Sequence, residues 1–215
     1  MRPMIIGALL LALPTAQAWA ARTCNTDLGQ GWPPAVGNYG EAVERLFDGD
    51  RQPMLSLVVL PSRGVESGIS LTPAADGRDW ALRSSVADKR IYNENTGSRQ
   101  FGVQLRVDQE PKQLEVGMPA ALAQRLVRTW QAALENEVPG DVRAPVLDGE
   151  VVSFQLDGKR YSGSRPTCGA GRLMLQQMEL LGTASDTKEK KRDRRWSDLE
   201  ESLDELQELL TGAAG

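Results

Sequence analysis

The hydrophobic residues of this chain recur with two spacings, one typical of strands and one typical of helices. The run MLSLVVL at positions 54–60 is almost continuously apolar, which predicts a central strand covered on both faces. Residues 64–72 and 79–85 alternate apolar with polar side chains, as strands with one buried face do. We therefore expect neighbouring strands in the first half of the chain.

The most regular alternation is QFGVQLRVD at positions 100–108. Its apolar side chains share one face: Phe101, Val103, Leu105 and Val107. This pattern predicts a strand of an antiparallel sheet with one buried and one solvated face. KQLEV at 112–116 is a shorter candidate strand. Further along, EVVSFQL and KRYSG flank Asp157 and Gly158, the favoured pair for a two-residue hairpin turn of type I′.

Residues 119–137 have the spacing of a helix with one apolar stripe. The stripe consists of Leu122, Leu126, Trp130 and Leu134. Two further helices are predicted at 40–49 and 172–182. Together these elements predict an α+β domain over residues 21–183, in which a mostly antiparallel sheet of about five to seven strands is packed by two or three helices.

The last part of the chain has a different composition. Residues 184–196 are polar and charged, which predicts a linker, and Ser197 with Glu200 forms the pattern of a capping box that opens an acidic amphipathic helix over 197–211. The apolar stripe of this helix consists of Trp196, Leu199, Leu203, Leu206 and Leu210. A lone helix of this length is marginal in water, so the stripe has to pack on something. We predict a separate helix for association with itself or with an envelope protein, and the alternative is that it folds back onto its own domain.

The first twenty residues have the features of a secretory signal peptide. Arg2 supplies the positive charge, residues 5–13 the apolar segment, and small residues ending at Ala18 or Ala20 a cleavage site. The apolar segment is too short to span a bilayer, and no second one follows it. The sequence therefore predicts a periplasmic or secreted protein whose mature chain has no transmembrane helix.

Cys24 and Cys168 are the only two cysteines. In an oxidising compartment such a pair predicts a disulfide, although free or partner-bridging thiols are the alternative. Histidine is absent, which excludes the Ser-His-Asp and Cys-His arrangements and the histidine zinc sites. No motif for a cofactor or a metal is present, so we expect neither.

The remaining candidates for function are charged residues, namely a basic run near the end of the chain and several isolated carboxylates. A formal net charge of −4 speaks against nucleic acid as a partner, although the basic residues between Lys188 and Arg195 could contact an anionic envelope surface weakly. A hydrolase of the glycosidase type would need two carboxylates, and the sequence offers Glu66, Asp79, Asp148 and Glu150. No pattern selects any pair of them, and we predict no catalytic residue.

Several loose motifs in a fixed order suggest a relationship. They are Leu60-Pro61-Ser62, Glu66, Trp80-x-Leu82, the stripe from Leu122 to Leu134, Leu147-Asp148-Gly149, Phe154, Gly163, Pro166 and Gly169. Over residues 54–182 the chain thus resembles small exported proteins of proteobacteria of the xanthomonad type. The resemblance implies a periplasmic α+β module and carries over no catalytic residue.

These observations lead to one functional prediction and one alternative. We predict an exported, non-enzymatic binding protein of the cell envelope that uses its leucine-spaced C-terminal helix for association. The alternative is a carboxylate-dependent envelope hydrolase.

Overall fold

The computed structural model describes residue 24 and residues 28–33, 36–75, 77–95, 102–136 and 149–212. This part of the chain contains four α-helices: α1 Gly37–Asp48, α2 Ala120–Glu135, α3 Gly169–Ser185 and α4 Arg192–Gly212. The first three confirm the helices predicted within the domain. The predicted signal peptide at 1–20 lies outside the described residues. Within the described ranges, no helix has both the length and the apolar character to cross a bilayer.

Seven strands form one antiparallel sheet, in the order β1-β9-β8-β2-β3-β4-β7. They are β1 Gly29–Gln30, β2 Leu55–Leu60, β3 Ser67–Pro73, β4 Asp79–Val86, β7 Lys112–Pro119, β8 Val151–Leu156 and β9 Lys159–Ser164. Two further strands, β5 Tyr92–Asn95 and β6 Gly102–Leu105, pair only with each other. The structure confirms the predicted α+β class and the mostly antiparallel sheet.

The centre of the sheet agrees with the hydrophobic pattern. All six residues of β2 are buried, as expected for a strand covered on both faces. The β8–β9 hairpin also confirms its predicted turn, since Asp157 and Gly158 both have positive φ, 46° and 75°. Gly158 adopts this conformation without the steric penalty that a side chain would bring.

Three helices, α2, α3 and α4, cover one face of the sheet and enclose the larger hydrophobic core. Trp130 of α2 lies edge-on to Phe154 of β8, with 5.6 Å between ring centroids. Its indole nitrogen donates to the side-chain oxygen of Gln177 on α3 at 2.6 Å, and the amide nitrogen of Gln177 donates to the carbonyl of Ser202 on α4 at 2.9 Å. A fully buried glutamine thus satisfies polar groups on all three helices, which fixes their relative positions.

The predicted linker and capping box are wrong. α3 continues to Ser185, a short 3₁₀ turn occupies Glu189–Lys191, and α4 begins at Arg192. Ser197 therefore lies inside the helix, where its hydroxyl donates to the carbonyl of Asp193 at 3.3 Å. The reason is that lysine, arginine and glutamate are good helix formers, so a charged stretch can extend a helix as readily as it can link two elements.

The C-terminal helix is also not separate from the domain. Trp196, Leu199, Leu203 and Leu206 are buried in the larger core, and Leu210 packs against it half-buried. The guanidinium of Arg125 on α2 pairs with Asp204 and donates to Gln207 at 2.6 Å. The stripe folds back because α2 and α3 offer it an apolar surface in the same chain, and this costs less entropy than capturing a partner.

The segment with the most regular alternation is not a strand of the main sheet. Among residues 102–108, the described part of this segment, only Gly102–Leu105 form a strand, β6, and it pairs with β5 in the small hairpin. Val103 is 54% exposed and Val107 49% exposed, whereas Phe101 lies outside the described residues. The position beside β4 is taken by β7, which runs beyond the predicted 112–116 to Pro119. Alternation indicates strand geometry but not which sheet the strand joins.

The predicted disulfide is confirmed. Cys24 and Cys168 are bonded, with 5.8 Å between their Cα atoms. The bond joins the segment before β1 to the residue that precedes α3. Leu28, in the same segment, is 1% exposed in the larger core, so this part of the chain is held by both a covalent bond and packing.

Candidate functional site

Of the four carboxylates considered for a hydrolase, the three that the structure describes are not placed as a free pair. Glu66 precedes β3 at the end where Ser67 pairs with Val86, whereas Asp79 begins β4 at the opposite end of that pair of strands. Glu150 forms an ion pair with Arg165. Asp148 lies outside the described residues. The three described carboxylates therefore give no catalytic pair.

Glu66 has a structural role instead. Its carboxylate is fully buried and accepts hydrogen bonds from the Tyr39 hydroxyl at 2.6 Å and from the backbone N–H groups of Ile91 and Tyr92 at 2.8 and 3.2 Å. Burial, followed by this hydrogen bond, raises the pKa of Tyr39, so the phenol stays a donor. Glu66 thereby joins the start of α1 to the strand β5.

The face of the sheet opposite α2, α3 and α4 carries a continuous polar row. Six side chains at directly paired positions form it, one from each of β9, β8, β2, β3, β4 and β7: Arg160, Gln155, Ser56, Ser70, Arg83 and Glu115. Directly opposed residues of antiparallel strands point to the same side of the sheet. The row is therefore a single surface, and α1 crosses it.

Helix α1 attaches to this face through a small second core. Tyr39, Val43 and Phe47 are its buried apolar residues, and they pack with Val58 and Ile91 among others. Glu44 and Asp48 lie on α1 beside these apolar residues, one helical turn apart. Both carboxylates therefore face the polar row.

Glu44 and Asp48 each have a partner in the row. The guanidinium of Arg160 donates to Glu44 from Nε at 3.3 Å and from Nη2 at 2.5 Å. Asp48 accepts a hydrogen bond from the hydroxyl of Ser70, and the positive charge of Arg83 stabilises its carboxylate form. Burial nevertheless raises the pKa of both carboxyl groups, although their partners favour the charged forms. Their negative charges are thus incompletely compensated.

Glu44, Asp48 and Arg160 line an open cavity of about 860 Å³, which we call the α1 groove. Its charged or amide-bearing lining residues include Glu41, Glu44, Arg45, Asp48, Arg51, Gln155, Asp157 and Arg160. Cavities of this volume are typical of sites for small ligands. Both signs of charge are present along its walls.

Trp32 holds one wall of the groove in place. The guanidinium carbon of Arg160 lies 4.8 Å from the centre of the Trp32 ring, a distance typical of a cation–π contact. The same ring packs against Gly40 of α1, where a Cβ atom would come within 2.2 Å of it. Gly40 therefore permits the close approach of Trp32 to α1.

The charged and amide side chains described in the groove can hold a ligand through ion pairs and hydrogen bonds. Histidine is absent from the sequence and both cysteines are in the disulfide. The buried hydroxyls of Ser56 and Ser153 have no hydrogen-bond partner among the described residues, so neither has a base to activate it. In the same part of the chain, no group of three acidic or cysteine side chains is placed to hold a metal ion.

Sequence reasoning missed this site, although a signal for it exists. The polar positions that alternate with apolar ones in the central strands are mostly serines: Ser56, Ser70, Ser85 and Ser153. Small polar residues at these positions suit a face that another element covers, whereas a solvated face carries mostly long charged side chains. The spacing of Glu44 and Asp48 in α1 completes the pattern.

Comparison of the chain with protein-family models, with curated proteins and with solved structures gives no match. The resemblance to exported proteobacterial proteins therefore stays a prediction, and the groove is the feature from which a function can be inferred.

Proposed function

We propose that this protein is an exported, non-enzymatic binding protein of the cell envelope and that its ligand occupies the α1 groove. The observation that carries this proposal is a cavity of about 860 Å³ whose walls combine arginine, carboxylate and amide groups. Export is supported by the leader-like first twenty residues and by the disulfide, a bond that persists in oxidising compartments.

The charges of the groove indicate the ligand class. Burial leaves the carboxylates of Glu44 and Asp48 with raised pKa values, so an ammonium group of a ligand would favour their charged forms. The guanidinium of Arg160 is engaged by Glu44, and it would suit a ligand carboxylate once the ligand's ammonium group pairs with Glu44. A short peptide with free ammonium and carboxylate groups meets both requirements.

Nuclear magnetic resonance titration with a panel of short zwitterionic peptides tests the proposal. We expect shifts concentrated in α1 and the β8–β9 hairpin, and loss of binding in Arg160→Ala, which removes the guanidinium from the wall. Arg128→Ala is the matched control, because Arg128 is exposed on α2 outside the groove. Shifts spread over the surface, or equal weakening by both variants, would contradict the proposal.

A hydrolase is the second candidate, and the observation that favours it is the pair Glu44 and Asp48. Two neighbouring carboxylates with raised pKa values can act as acid and base. Their partners argue against this role, since Arg160 and Ser70 already engage them. Turnover of a peptide or glycan by the protein, lost in both Glu44→Gln and Asp48→Asn, would establish the hydrolase and replace the first proposal.

A further inference from the structure

The connection between α3 and α4 exposes four cations within a short stretch. Lys188, Lys190, Lys191 and Arg194 are all exposed, and their side chains have no partner among the described residues. We call these four residues the basic tip. They form a local excess of positive charge in a chain whose formal net charge is −4.

Two other arginines of the same stretch have structural roles. Arg192 donates to the carbonyls of Ala184 and Thr187 at 3.4 and 3.0 Å, which closes the connection on the end of α3. Arg195 pairs with Asp198 at 3.2 Å. The side chains of the basic tip take no part in these contacts, and the turn uses only their backbone, in which the N–H of Lys191 donates to the carbonyl of Lys188 at 2.9 Å.

The position of the basic tip is unfavourable for the helix itself. The amino end of a helix carries a partial positive charge, and cations near it destabilise the helix by a few tenths of a kcal/mol or more. Arg194 lies in the first turn of α4, and the three lysines lie just before it. At the amino end of α4 these charges do not stabilise the helix, and their side chains have no described partner within the chain, which points to a partner outside it.

The neighbouring acidic residues limit the direction from which an anionic partner can approach. Asp186, Glu189 and Asp193 lie within the stretch, but its six basic residues outnumber them. Asp198 pairs with Arg195, and the next acidic residue of α4 is Glu200, about 9 Å along the helix axis from Arg194 of the basic tip. This exceeds the Debye length of about 8 Å at physiological ionic strength, so a surface that meets the chain end-on experiences mainly the cations.

We propose that the basic tip docks the protein end-on onto an anionic phospholipid bilayer. A flat lipid surface suits this geometry because the four cations lie together at one end of the α3–α4 pair and can face the same plane. The basic tip and the α1 groove share no residue, so this proposal stands independently of the ligand in the groove.

Sedimentation with vesicles tests the docking. The full chain is mixed with vesicles of phosphatidylcholine that contain phosphatidylglycerol and with vesicles of phosphatidylcholine alone. We expect binding to the first and not to the second, with a loss at high salt. Lys190→Gln combined with Lys191→Gln should lower the partition coefficient about 25-fold, since each cation near an anionic surface contributes about fivefold.

The matched control is Lys112→Gln combined with Lys159→Gln, which removes the same charge from two exposed strand positions. It should bind as the unchanged protein does, and both double variants should keep their melting temperature because all four lysines are exposed. Equal weakening by the two double variants would reduce the effect to overall charge and overturn the proposal. Binding to uncharged vesicles, or no binding to anionic ones, would overturn it as well.

Discussion

The two faces of the main sheet differ in what covers them and in what they bury. On one face, three helices bury leucines and tryptophan in a continuous apolar core. On the other, a single helix of twelve residues rests on a smaller apolar cluster and crosses a row of serine, glutamine, arginine and glutamate side chains. Apolar burial is the main source of stability, whereas polar groups recognise ligands. The face covered by α2, α3 and α4, which we call the helical face, therefore stabilises the fold. The face covered by α1 is free to carry the site.

The largest effect should follow from truncating the helical face. Leu203→Ala removes a fully buried side chain between α4 and its neighbours and should lower the free energy of unfolding by about 2–5 kcal/mol. Leu209→Ala on the same helix is the control, because Leu209 is 41% exposed and its loss should change little. Chemical denaturation measures both. Similar values for the two variants would mean that α4 does not belong to the core.

A smaller effect is expected where α1 meets Glu66. Tyr39→Phe removes the hydroxyl that donates to this buried carboxylate at 2.6 Å, which should cost about 1–3 kcal/mol. Tyr161→Phe is the matched control on the helical face, where the described contacts give the hydroxyl no hydrogen bond and the substitution should be nearly neutral. Thermal unfolding of the two variants provides the comparison. A neutral Tyr39→Phe would show that Glu66 finds another donor.

Asp48 should make stability depend on pH in a defined direction. Burial raises the pKa of Asp48 above its ordinary 3.8, so the folded state holds this proton more tightly than the unfolded state. The stabilising contribution is complete below that ordinary value and is lost as pH rises through the raised pKa. Asp48→Asn keeps an acceptor for Ser70 and removes the titration.

Unfolding curves recorded between acidic and neutral pH test this expectation. The free energy of unfolding of the original chain, relative to Asp48→Asn, should fall as the pH rises through the raised pKa of Asp48. A difference that rises with pH would mean that Ser70 and Arg83 outweigh burial, and the groove would then have less uncompensated charge.

The smallest effect should come from the polar groups beneath α1. The hydroxyl of Ser153 is buried and has no partner in the described part of the chain, so Ser153→Ala should leave the free energy of unfolding unchanged or raise it slightly, within about 0.5 kcal/mol. Melting temperatures resolve such a change when they are measured side by side. A loss above 1 kcal/mol would reveal an ordered water that binds this hydroxyl.

Much of the fold could be predicted from the sequence because its helices and central strands have strong patterns. The continuous run from Leu55 to Leu60, the Asp157-Gly158 turn and the two cysteines each allow one main interpretation, and the structure confirms them. Burial is harder to predict. Val103 alternates as regularly as any core residue, yet it belongs to an exposed hairpin, because burial depends on which strand takes the place beside β4.

The site could not be predicted because it is assembled across the sheet. Glu44 and Arg160 are separated by more than a hundred residues and meet only when α1 lies on β9. The apolar stripe of α4 could be predicted, because its leucines follow one another along a single helix. The surface that covers it could not, and this surface is the parent domain. A stripe shows that a surface will be buried and does not show against what.

The disulfide also has a consequence for the order in which the chain is assembled. Its two cysteines are 144 residues apart, and β1, which follows Cys24, pairs only with β9. Under the export that we propose, Cys24, β1 and Trp32 cross the membrane first, yet their partners in Cys168 and β9 cross much later. The segment that crosses first therefore joins the folded structure last. A chain whose folding stalls keeps a free thiol, on which thiol–disulfide exchange catalysts can act. Formation of the disulfide shows that the wall of the groove formed by Trp32 and Arg160 is complete.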